Sequence, residues 1–227
     1  MERVDDLGGG FRLIQDTSLY CFGTDSVLLS DFARVETGDT VVDLCAGNGA
    51  VSVLLCAKTA AKAVIGVELQ EASYRLAVRN IARNSLEGRL SFVHADIADC
   101  LNFLRPGSAD VVVCNPPYYK PANGRINPSD AKAAARFELR TDLDTILRIS
   151  AALLRPAGRL YLVHRPERLC DLLCGMRTHR LEPKTLQTVC PSCTQPPKLV
   201  LIEGVHGGRP GLDCRAPVYL TQKEELQ

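Results

Sequence analysis

The sequence contains no long apolar run and no recognisable leader. No uninterrupted apolar stretch reaches the roughly 18 residues that a membrane-spanning helix needs, and a basic, apolar, small-residue signal is missing from the amino terminus. The fractions of hydrophobic and charged residues, 46% and 23%, are ordinary for a globular protein, and 227 residues suffice for one α/β core but are few for two full domains. We expect one domain with small additions, located in the cytoplasm.

Catalytic and metal-binding patterns based on histidine or cysteine are also missing. The four histidines show no metal-ligand spacing, and no Ser-His-Asp or Cys-His grouping occurs. Ten cysteines without an export signal indicate reduced thiols rather than a disulfide framework. A weak zinc pattern is formed by Cys170, Cys174, Cys190 and Cys193. The first two fall in a helix-like stretch with an apolar face, where free cysteine is commonly buried, so we expect no metal.

Charge is unevenly distributed along the chain, although the net charge is only +1. Residues 1–119 contain 10 Lys or Arg against 15 Asp or Glu, whereas residues 120–184 contain 13 against 7. A basic segment of this kind is able to follow a phosphate backbone. The alternative is that these charges only solvate helix faces.

Apolar strands alternate with helical patterns after an irregular amino-terminal segment. The run 110–114 is almost wholly valine, which is typical of a central strand in a parallel sheet. The alternation predicts an α/β fold with a doubly wound, mostly parallel, seven-stranded sheet and a late antiparallel hairpin. The predicted strands are 41–44, 63–68, 90–93, 110–114, 159–163, 185–189 and 198–205, and the predicted helices are 50–58, 70–84, a helix capped by Thr141 or Asp142 that runs to Leu154, and 167–177.

The strand ends carry a pattern that is typical of a cofactor pocket. Ligands of open α/β sheets bind beyond the carboxyl ends of the strands, and the loop after the first strand is the prime position. Here that loop has two glycines, which let a ligand approach the backbone, and it opens a helix. Glu68 closes the second strand, where a carboxylate accepts both ribose hydroxyls, while Asp96 and Ile97 at the third strand suit an adenine amino group and ring face. The loop consists of Asp43, Leu44, Cys45, Ala46, Gly47, Asn48 and Gly49.

This loop differs from the loops of two common nucleotide sites. It is not the G-x-G-x-x-G of dinucleotide binding, and it has no Lys-Ser/Thr for a triphosphate. The neighbouring acids suit a nucleoside with a positive centre better than a pyrophosphate. Each residue taken alone is also compatible with a tight turn or a solvated strand end.

The loop after the fourth strand predicts a reaction centre for a nitrogen acceptor. Its sequence is Asn115-Pro116-Pro117-Tyr118. Two prolines remove two N–H donors and fix the backbone, so carbonyl groups there are free to accept hydrogen bonds from a substrate. An aromatic amino group is a poor nucleophile; if the Asn115 oxygen and a proline carbonyl accept its N–H groups, its lone pair is held toward a methyl donor. Tyr118 suits stacking on a planar base, and the alternative for the whole loop is a rigid proline turn.

The two loops together resemble those of the class I methyltransferases, and the Asn-Pro-Pro-Tyr run is similar to that of the nitrogen-methylating members. Segments 20–29, 163–169, 199–204 and 207–212 resemble the bacterial methyltransferases that act on the 6-amino group of the adenine beside the anticodon of a valine tRNA. The resemblance covers about residues 11–217. It implies a Rossmann-like fold, S-adenosyl-L-methionine as cofactor, tRNA as partner and methyl transfer to that amino group.

The resemblance also implies a division of the chain and a set of site residues. Residues 1–35 would be an amino-terminal segment covering the site, 36–217 the methyltransferase domain and 218–227 a tail. The predicted cofactor-binding residues are Gly23, Thr24, Asp25, Asp43, Cys45, Ala46, Gly47, Asn48, Gly49, Glu68, Leu69, Asp96, Ile97 and Asn115, and the predicted catalytic residues are Asn115, Pro116, Pro117 and Tyr118. Two departures concern RNA specificity: Phe137 stands where we expect histidine, and the turn 190–193 is unusual.

Three other functions are compatible with the same residues. A protein glutamine methyltransferase would use the same four-residue loop, because a side-chain amide also offers two N–H groups; such enzymes usually carry a helical domain ahead of the first strand. DNA adenine methylation ranks lower, because there is no long insertion to read a duplex. A non-catalytic scaffold would hold cofactor or RNA without transfer, and the intact loops argue against it.

Overall fold

The computed structural model describes residues 1–19, 21–117 and 142–220, which form a two-stranded hairpin and a nine-stranded sheet flanked by helices. The strands are β1 Glu2–Gly8, β2 Phe11–Asp16, β3 Thr40–Leu44, β4 Ala63–Glu68, β5 Leu90–His94, β6 Ala109–Cys114, β7 Leu154–His164, β8 Leu181–Cys190, β9 Leu199–His206, β10 Asp213–Cys214 and β11 Val218–Tyr219. The helices are α1 Thr24–Phe32, α2 Ala50–Lys58, α3 Glu71–Arg83, α4 Leu143–Leu153 and α5 Leu169–Thr178, with short 3-10 helices at Ile97–Asn102 and Pro166–Arg168.

The large sheet has the strand order β10-β8-β9-β7-β6-β3-β4-β5, and β11 also pairs with β8. Strands β3 to β7 run parallel to their neighbours among themselves, whereas β9 runs antiparallel to both β7 and β8. This confirms the predicted doubly wound, mostly parallel sheet with a late antiparallel hairpin. The two strands beyond the predicted seven are β10 and β11, which have two residues each and are too short to produce a periodic pattern.

The central strands are buried on both faces of the sheet. Along β6, Val111 and Val113 contact the apolar core on the side of α1 and α2, whereas Val112 and Cys114 contact the core on the side of α4 and α5. All four side chains are fully buried. Burial on both faces explains why this strand reads as a continuous apolar run rather than an alternating one.

Several predicted boundaries follow local signals closely. The predicted α2 and β4 match the observed ranges, and α4 begins after Asp142, whose side chain accepts a hydrogen bond of 2.6 Å from the Thr145 N–H. Thr141, the alternative cap, lies outside the described residues. No helix in the described ranges is long and apolar enough to span a bilayer.

The start of β7 differs from the prediction. The sequence predicted a strand from Arg159, but β7 begins at Leu154, which pairs with Ala109 of β6. The register then shifts before Arg159 pairs with Val111, and Ala157 within this stretch has a φ of 61°. The turn signal in Arg155-Pro156-Ala157-Gly158 therefore produces an irregularity inside the strand, because β6 pairs with the chain on both sides of it.

The helix predicted at 167–177 is split into a 3-10 helix and α5. Leu172 and Met176 of α5 are buried as expected, but Cys170 and Cys174 are exposed, so the expectation of buried thiols on this face was wrong. The apolar stripe is narrower than the sequence pattern indicated. Within residues 1–19, 21–117 and 142–220, no group of three or more His, Cys, Asp or Glu side chains is placed to hold a metal ion.

The amino-terminal segment is ordered, contrary to the prediction of an irregular one. Strands β1 and β2 form an antiparallel hairpin that packs against α3, and α1 follows. The fully buried Asn80 donates to the carbonyl oxygens of Ile14 (3.1 Å) and Asn48 (3.0 Å) and accepts from the Ile14 N–H (2.7 Å). Asn84 makes a similar pair of 2.8 Å bonds with the backbone of Arg12. These partners are far apart in sequence, so no local pattern reveals the hairpin.

Three basic residues in the described part of segment 120–184 lie at opposite ends of strand β7. Arg155 and Arg159 lie near the start of β7 and form ion pairs with Asp110 and with Glu36 and Asp39, whereas Arg165 follows the end of the same strand. Because β7 is 11 residues long, the side chains at its two ends do not form one continuous basic surface. The charged residues of the segment that precede Asp142 fall within residues 118–141, which lie outside the described residues.

Replacing Asn80 with alanine should lower the free energy of unfolding by about 2–4 kcal/mol, because it leaves buried backbone groups of Ile14 and Asn48 without partners. Asn84→Ala is the matched control: at a more exposed position it removes the pair of bonds to Arg12 and a bond to the Asn80 carbonyl, and it should cost only about 1 kcal/mol. Urea titrations followed by circular dichroism measure both values. Equal losses in the two variants would contradict the structural role assigned to Asn80.

Candidate active site

A cavity of about 500 Å³ lies at the carboxyl edge of the central strands. Its walls include most of the residues predicted for the site, namely 45–48, 68–69, 96–97 and 115–117. Five predicted residues do not line it: Gly23, Thr24, Asp25, Asp43 and Gly49. Tyr118 lies outside the described residues. The structure therefore brings the predicted cofactor loop and the predicted acceptor loop together around one space.

The loop after β3 has a backbone that turns sharply. Cys45, Gly47 and Gly49 all have positive φ angles, 62°, 58° and 86°, and Gly49 is the residue that precedes α2. A Cβ atom at Gly49 would lie 2.7 Å from the ring of Phe92, so glycine is required there for space as well as for conformation. The turn presents the amino end of α2 to the cavity.

Glu68 links the end of β4 to this loop. One carboxylate oxygen accepts from the Gly47 N–H at 2.8 Å and the other from the Gln70 N–H at 2.7 Å. Burial raises the pKa of Glu68, and these backbone hydrogen bonds oppose the rise. A carboxylate has about four acceptor positions, so the Glu68 carboxylate retains acceptor capacity for a hydroxyl group of a ligand in the cavity.

Asp96 and Ile97 lie beyond β5 as predicted. The Asp96 side chain accepts from the Ala98 N–H at 3.0 Å and so caps the 3-10 helix, while Ile97 is buried against the cavity. The carboxylate and the apolar side chain therefore lie side by side at one end of the cavity. This arrangement provides a hydrogen-bond acceptor next to a flat apolar contact.

Asp43 lies beneath the loop rather than in the cavity wall. Its Oδ2 accepts from the Ser52 hydroxyl at 2.6 Å, and its Oδ1 is buried with no hydrogen-bond partner among the described residues. Burial raises the pKa of Asp43 to about 7, although the bonds with Ser52 oppose this. A buried carboxylate with one unsatisfied oxygen favours a positively charged or donating group nearby.

Asn115 is held from the amino-terminal side of the chain. Its side-chain Nδ2 donates to the hydroxyl of Ser26 on α1 at 3.2 Å, and both residues line the cavity. Sequence reasoning placed segment 23–25 near the site but missed Ser26, because only the packing of α1 beside β6 brings the two together. The contact sets the orientation of the amide, with Nδ2 toward α1.

The buried Gln15 joins the hairpin to the cavity. Its Oε1 accepts from the Phe22 N–H at 2.9 Å and from Asn48 Nδ2 at 3.5 Å, while its Nε2 donates to Asp5. Phe22 and Asn48 both line the cavity. No local sequence signal marks Phe22 or Gln15. Sequence reasoning also missed Arg165, although this residue follows the end of β7 and the rule that ligands bind at strand ends predicts a site there.

Comparison with known proteins supports a single family. The family model described as methyltransferase small domain matches residues 22–173, about two thirds of the chain. The chain belongs to this methyltransferase family. A curated relative from Tolumonas auensis, named tRNA1(Val) (adenine(37)-N6)-methyltransferase, is 30% identical over 154 residues, which cover 67% of this chain and 62% of the relative. The chain thus spans less than two thirds of that protein's length.

Solved structures show the same fold at low sequence identity. A predicted O-methyltransferase from Agrobacterium tumefaciens superposes with a TM-score of 0.71 at 20% identity, covering 86% of this chain and 87% of the other. Geranyl diphosphate C-methyltransferase from Streptomyces coelicolor, solved with S-adenosyl-L-homocysteine, gives a TM-score of 0.60 at 15% identity and covers 81% of this chain and 80% of its own. The fold class is therefore that of Rossmann-like methyltransferases.

The methyltransferase family and fold indicate S-adenosyl-L-methionine as cofactor, and the cavity fits it. Its volume lies within the range of about 300–1,000 Å³ usual for ligand sites. Glu68 has acceptor positions for a ribose, and Asp96 with Ile97 offers a matching site for an adenine. The unsatisfied Asp43 oxygen beneath the loop is an acceptor that favours a donating or positively charged group nearby.

The Asp43→Asn variant should show a different dependence of stability on pH from the parent methyltransferase. The folded-state pKa of Asp43 lies above its ordinary value of 3.8, so the folded protein holds this proton more tightly, and ionisation costs stability as pH rises toward about 7. The unfolding free energy of the parent, minus that of the variant, should fall from about pH 4 to about pH 7 and level off above about pH 8, with a total change of at most roughly 4 kcal/mol.

Chemical denaturation at a series of pH values measures this difference. Burial also lowers the pKa of His164, to about 4, but both proteins share that residue and its contribution cancels. A difference that stays constant from pH 5 to 8 would show that Asp43 is ionised at little cost.

Proposed function

We propose that the protein is an S-adenosylmethionine-dependent N-methyltransferase whose acceptor is the exocyclic 6-amino group of an adenine in tRNA. The observation that carries this is the position of Asn115, Pro116 and Pro117 in the wall of the cavity that also holds the cofactor loop. The names of relatives such as the Tolumonas auensis protein support tRNA adenine as the acceptor. The proposed methyltransferase domain is 36–217, covered by segment 1–35, with 218–227 as a tail.

In this proposal the cofactor lies across the ends of β3, β4 and β5. The loop of residues 43–49, together with Glu68 and Leu69, forms one wall of the cofactor site. Segment 23–25 directly precedes Ser26 and supports the site without lining the cavity. Glu68 accepts the ribose hydroxyls, and Asp96 and Ile97 hold the adenine. When bound, S-adenosyl-L-methionine supplies an electrophilic methyl group on a sulfonium centre.

The acceptor nitrogen is activated by position rather than by a strong base. The Asn115 Oδ1 accepts one N–H of the amino group and a carbonyl of Pro116 or Pro117 accepts the other, which directs the nitrogen lone pair at the methyl group. The Ser26 hydroxyl supports this orientation because it accepts from Asn115 Nδ2 and so holds that end of the amide toward α1. The proton is lost to solvent after transfer. Stacking of Tyr118 on the base stays a prediction.

Two alternatives use the same residues. Protein glutamine methylation would require the same pair of acceptors for an amide nitrogen, and it is distinguished only by the substrate. A non-catalytic scaffold does not require the Asn115–Ser26 contact, which orients an amide that binding alone would not need.

The purified protein should transfer a labelled methyl group from S-adenosyl-L-methionine into bulk tRNA that lacks the modification, and nucleoside analysis should recover 6-methyladenosine. A matched reaction with tRNA that already carries the modification controls for other sites. Label in a release-factor-like or ribosomal protein, with none in tRNA, would move the assignment to glutamine. No transfer to either acceptor would favour the scaffold.

Asn115→Ala should reduce methyl transfer by about 10²–10³-fold, since the amino group loses an acceptor in the transition state, while cofactor affinity changes little. Ser26→Ala should lower kcat about fivefold with KM nearly unchanged, because the amide loses a support worth roughly 1 kcal/mol. Ser26→Thr should restore part of the rate. The buried Ser30, one turn further along α1 and outside the cavity wall, provides the control variant Ser30→Ala.

Calorimetric titration with S-adenosylhomocysteine separates these effects from loss of fold. The proposed reaction centre is wrong if Asn115→Ala transfers methyl groups at the parent rate. The positioning role of Ser26 is wrong if Ser26→Ala and Ser30→Ala give the same kcat.

A further inference from the structure

Arg165 is a charged residue of the cavity wall to which the proposed reaction assigns no role. It follows β7, the strand next to β6 on the side away from the cofactor loop. Cys114 of β6 pairs with Leu162 of β7, and Pro117 and Arg165 each lie three residues beyond this pair. Arg165 therefore lies beside the acceptor loop at the same level of the sheet edge.

The charges in the cavity wall are separated along the sheet. Glu68 ends β4 and Asp96 follows β5, on one side of β3, whereas Arg165 follows β7 on the other side. In the strand order β7-β6-β3-β4-β5, the acceptor loop after β6 lies between the basic and acidic ends. A ligand that occupies the whole cavity thus meets two acids at its cofactor end and a guanidinium at its acceptor end.

The backbone around Arg165 is fixed on both sides. The Arg165 N–H donates to Nδ1 of the buried His164 at 2.8 Å, and Pro166 begins a 3-10 helix directly afterwards. Burial lowers the pKa of His164 to about 4, so the imidazole is neutral near pH 7 and retains the lone pair that accepts this bond. The half-buried Arg165 side chain therefore projects from a rigid point rather than from a long loop.

We propose that Arg165 binds a phosphate group of the acceptor nucleotide, and that the site therefore selects a nucleic acid over a glutamine side chain. This inference rests on the proposed function and names the feature that decides between its two acceptors. A guanidinium matches a phosphate with two parallel hydrogen bonds. A neutral glutamine amide offers only a carbonyl oxygen to it, which is a weaker acceptor for a guanidinium than an anion is. The carboxylate of the cofactor is a different anion, and the test separates the two.

The test measures tRNA binding and cofactor binding for the same variants. Arg165→Gln should weaken binding of unmodified bulk tRNA to the S-adenosylhomocysteine-loaded protein about tenfold. It should also reduce the slope of log affinity against log salt by about 0.7–0.9, as expected when one phosphate contact is lost. Arg165→Lys should keep most of the slope but lose part of the affinity, because an ammonium lacks the paired geometry. Fluorescence anisotropy at salt concentrations from about 50 to about 200 mM gives the affinity and the slope for each variant.

The matched control is Arg177→Gln. Arg177 is an exposed arginine near the end of α5, forms an ion pair with Glu182 and does not line the cavity. This variant should bind tRNA with the parent affinity and slope. Thermal melts and titration with S-adenosylhomocysteine confirm that each variant is folded and binds cofactor.

Each outcome decides the inference. An unchanged slope in Arg165→Gln, in a protein whose parent methylates tRNA, overturns the role of Arg165 and leaves the proposed function intact. Weaker binding of S-adenosylhomocysteine with unchanged tRNA binding assigns Arg165 to the cofactor carboxylate instead and also overturns it. A parent protein that neither binds nor methylates tRNA overturns both proposals.

Discussion

The alignment of parallel strand ends at one edge of the sheet is the constraint on which the rest of the structure depends. Register pairs Leu44 with Cys114 and Cys114 with Leu162, so β3 and β6 end at the same level and β7 ends two residues beyond it, at His164. Loops that are far apart in sequence then open onto one space. The cofactor loop, the acceptor loop and the segment after β7 meet there because the backbone hydrogen bonds of the sheet fix where each strand ends. The side chains of each loop then supply its chemical groups.

The amino-terminal hairpin completes the site through buried polar contacts rather than through apolar packing alone. Asn80 bonds to the backbone of β2 and of the cofactor loop, and Gln15 bonds to Phe22 and Asn48. Buried amides of this kind are costly if any partner is lost, so the hairpin has one well-defined position. A segment that lies outside the central sheet thereby fixes Phe22 and Asn48, which line the cavity.

The two ends of the cavity differ in the sign of the charged side chains near them. The buried carboxylates of Asp43 and Glu68, whose pKa values are raised by burial, lie on the side of β3 and β4, and Arg165 lies beyond β6. Ionised acids are costly to bury without a partner, so this side favours a ligand with a positive centre. The acceptor loop between them is neutral and supplies fixed carbonyl and amide groups. The methyl transfer that we propose uses this arrangement: the cationic methyl donor lies at the acidic end of the cavity, and the acceptor lies at the end near Arg165.

Local sequence by itself determined most of the central sheet and the two main loops, because periodicity, capping residues and glycine or proline spacing act over a few residues. The helix 50–58, the strand 63–68 and the Asp142 cap are examples. Tertiary structure alone decided the hairpin, the early start of β7 at Leu154 and the roles of Ser26 and Gln15. Each of these depends on partners that are distant in sequence, such as Ile14 with Asn80, and such pairings are energetically defined only once the sheet has brought the partners into contact.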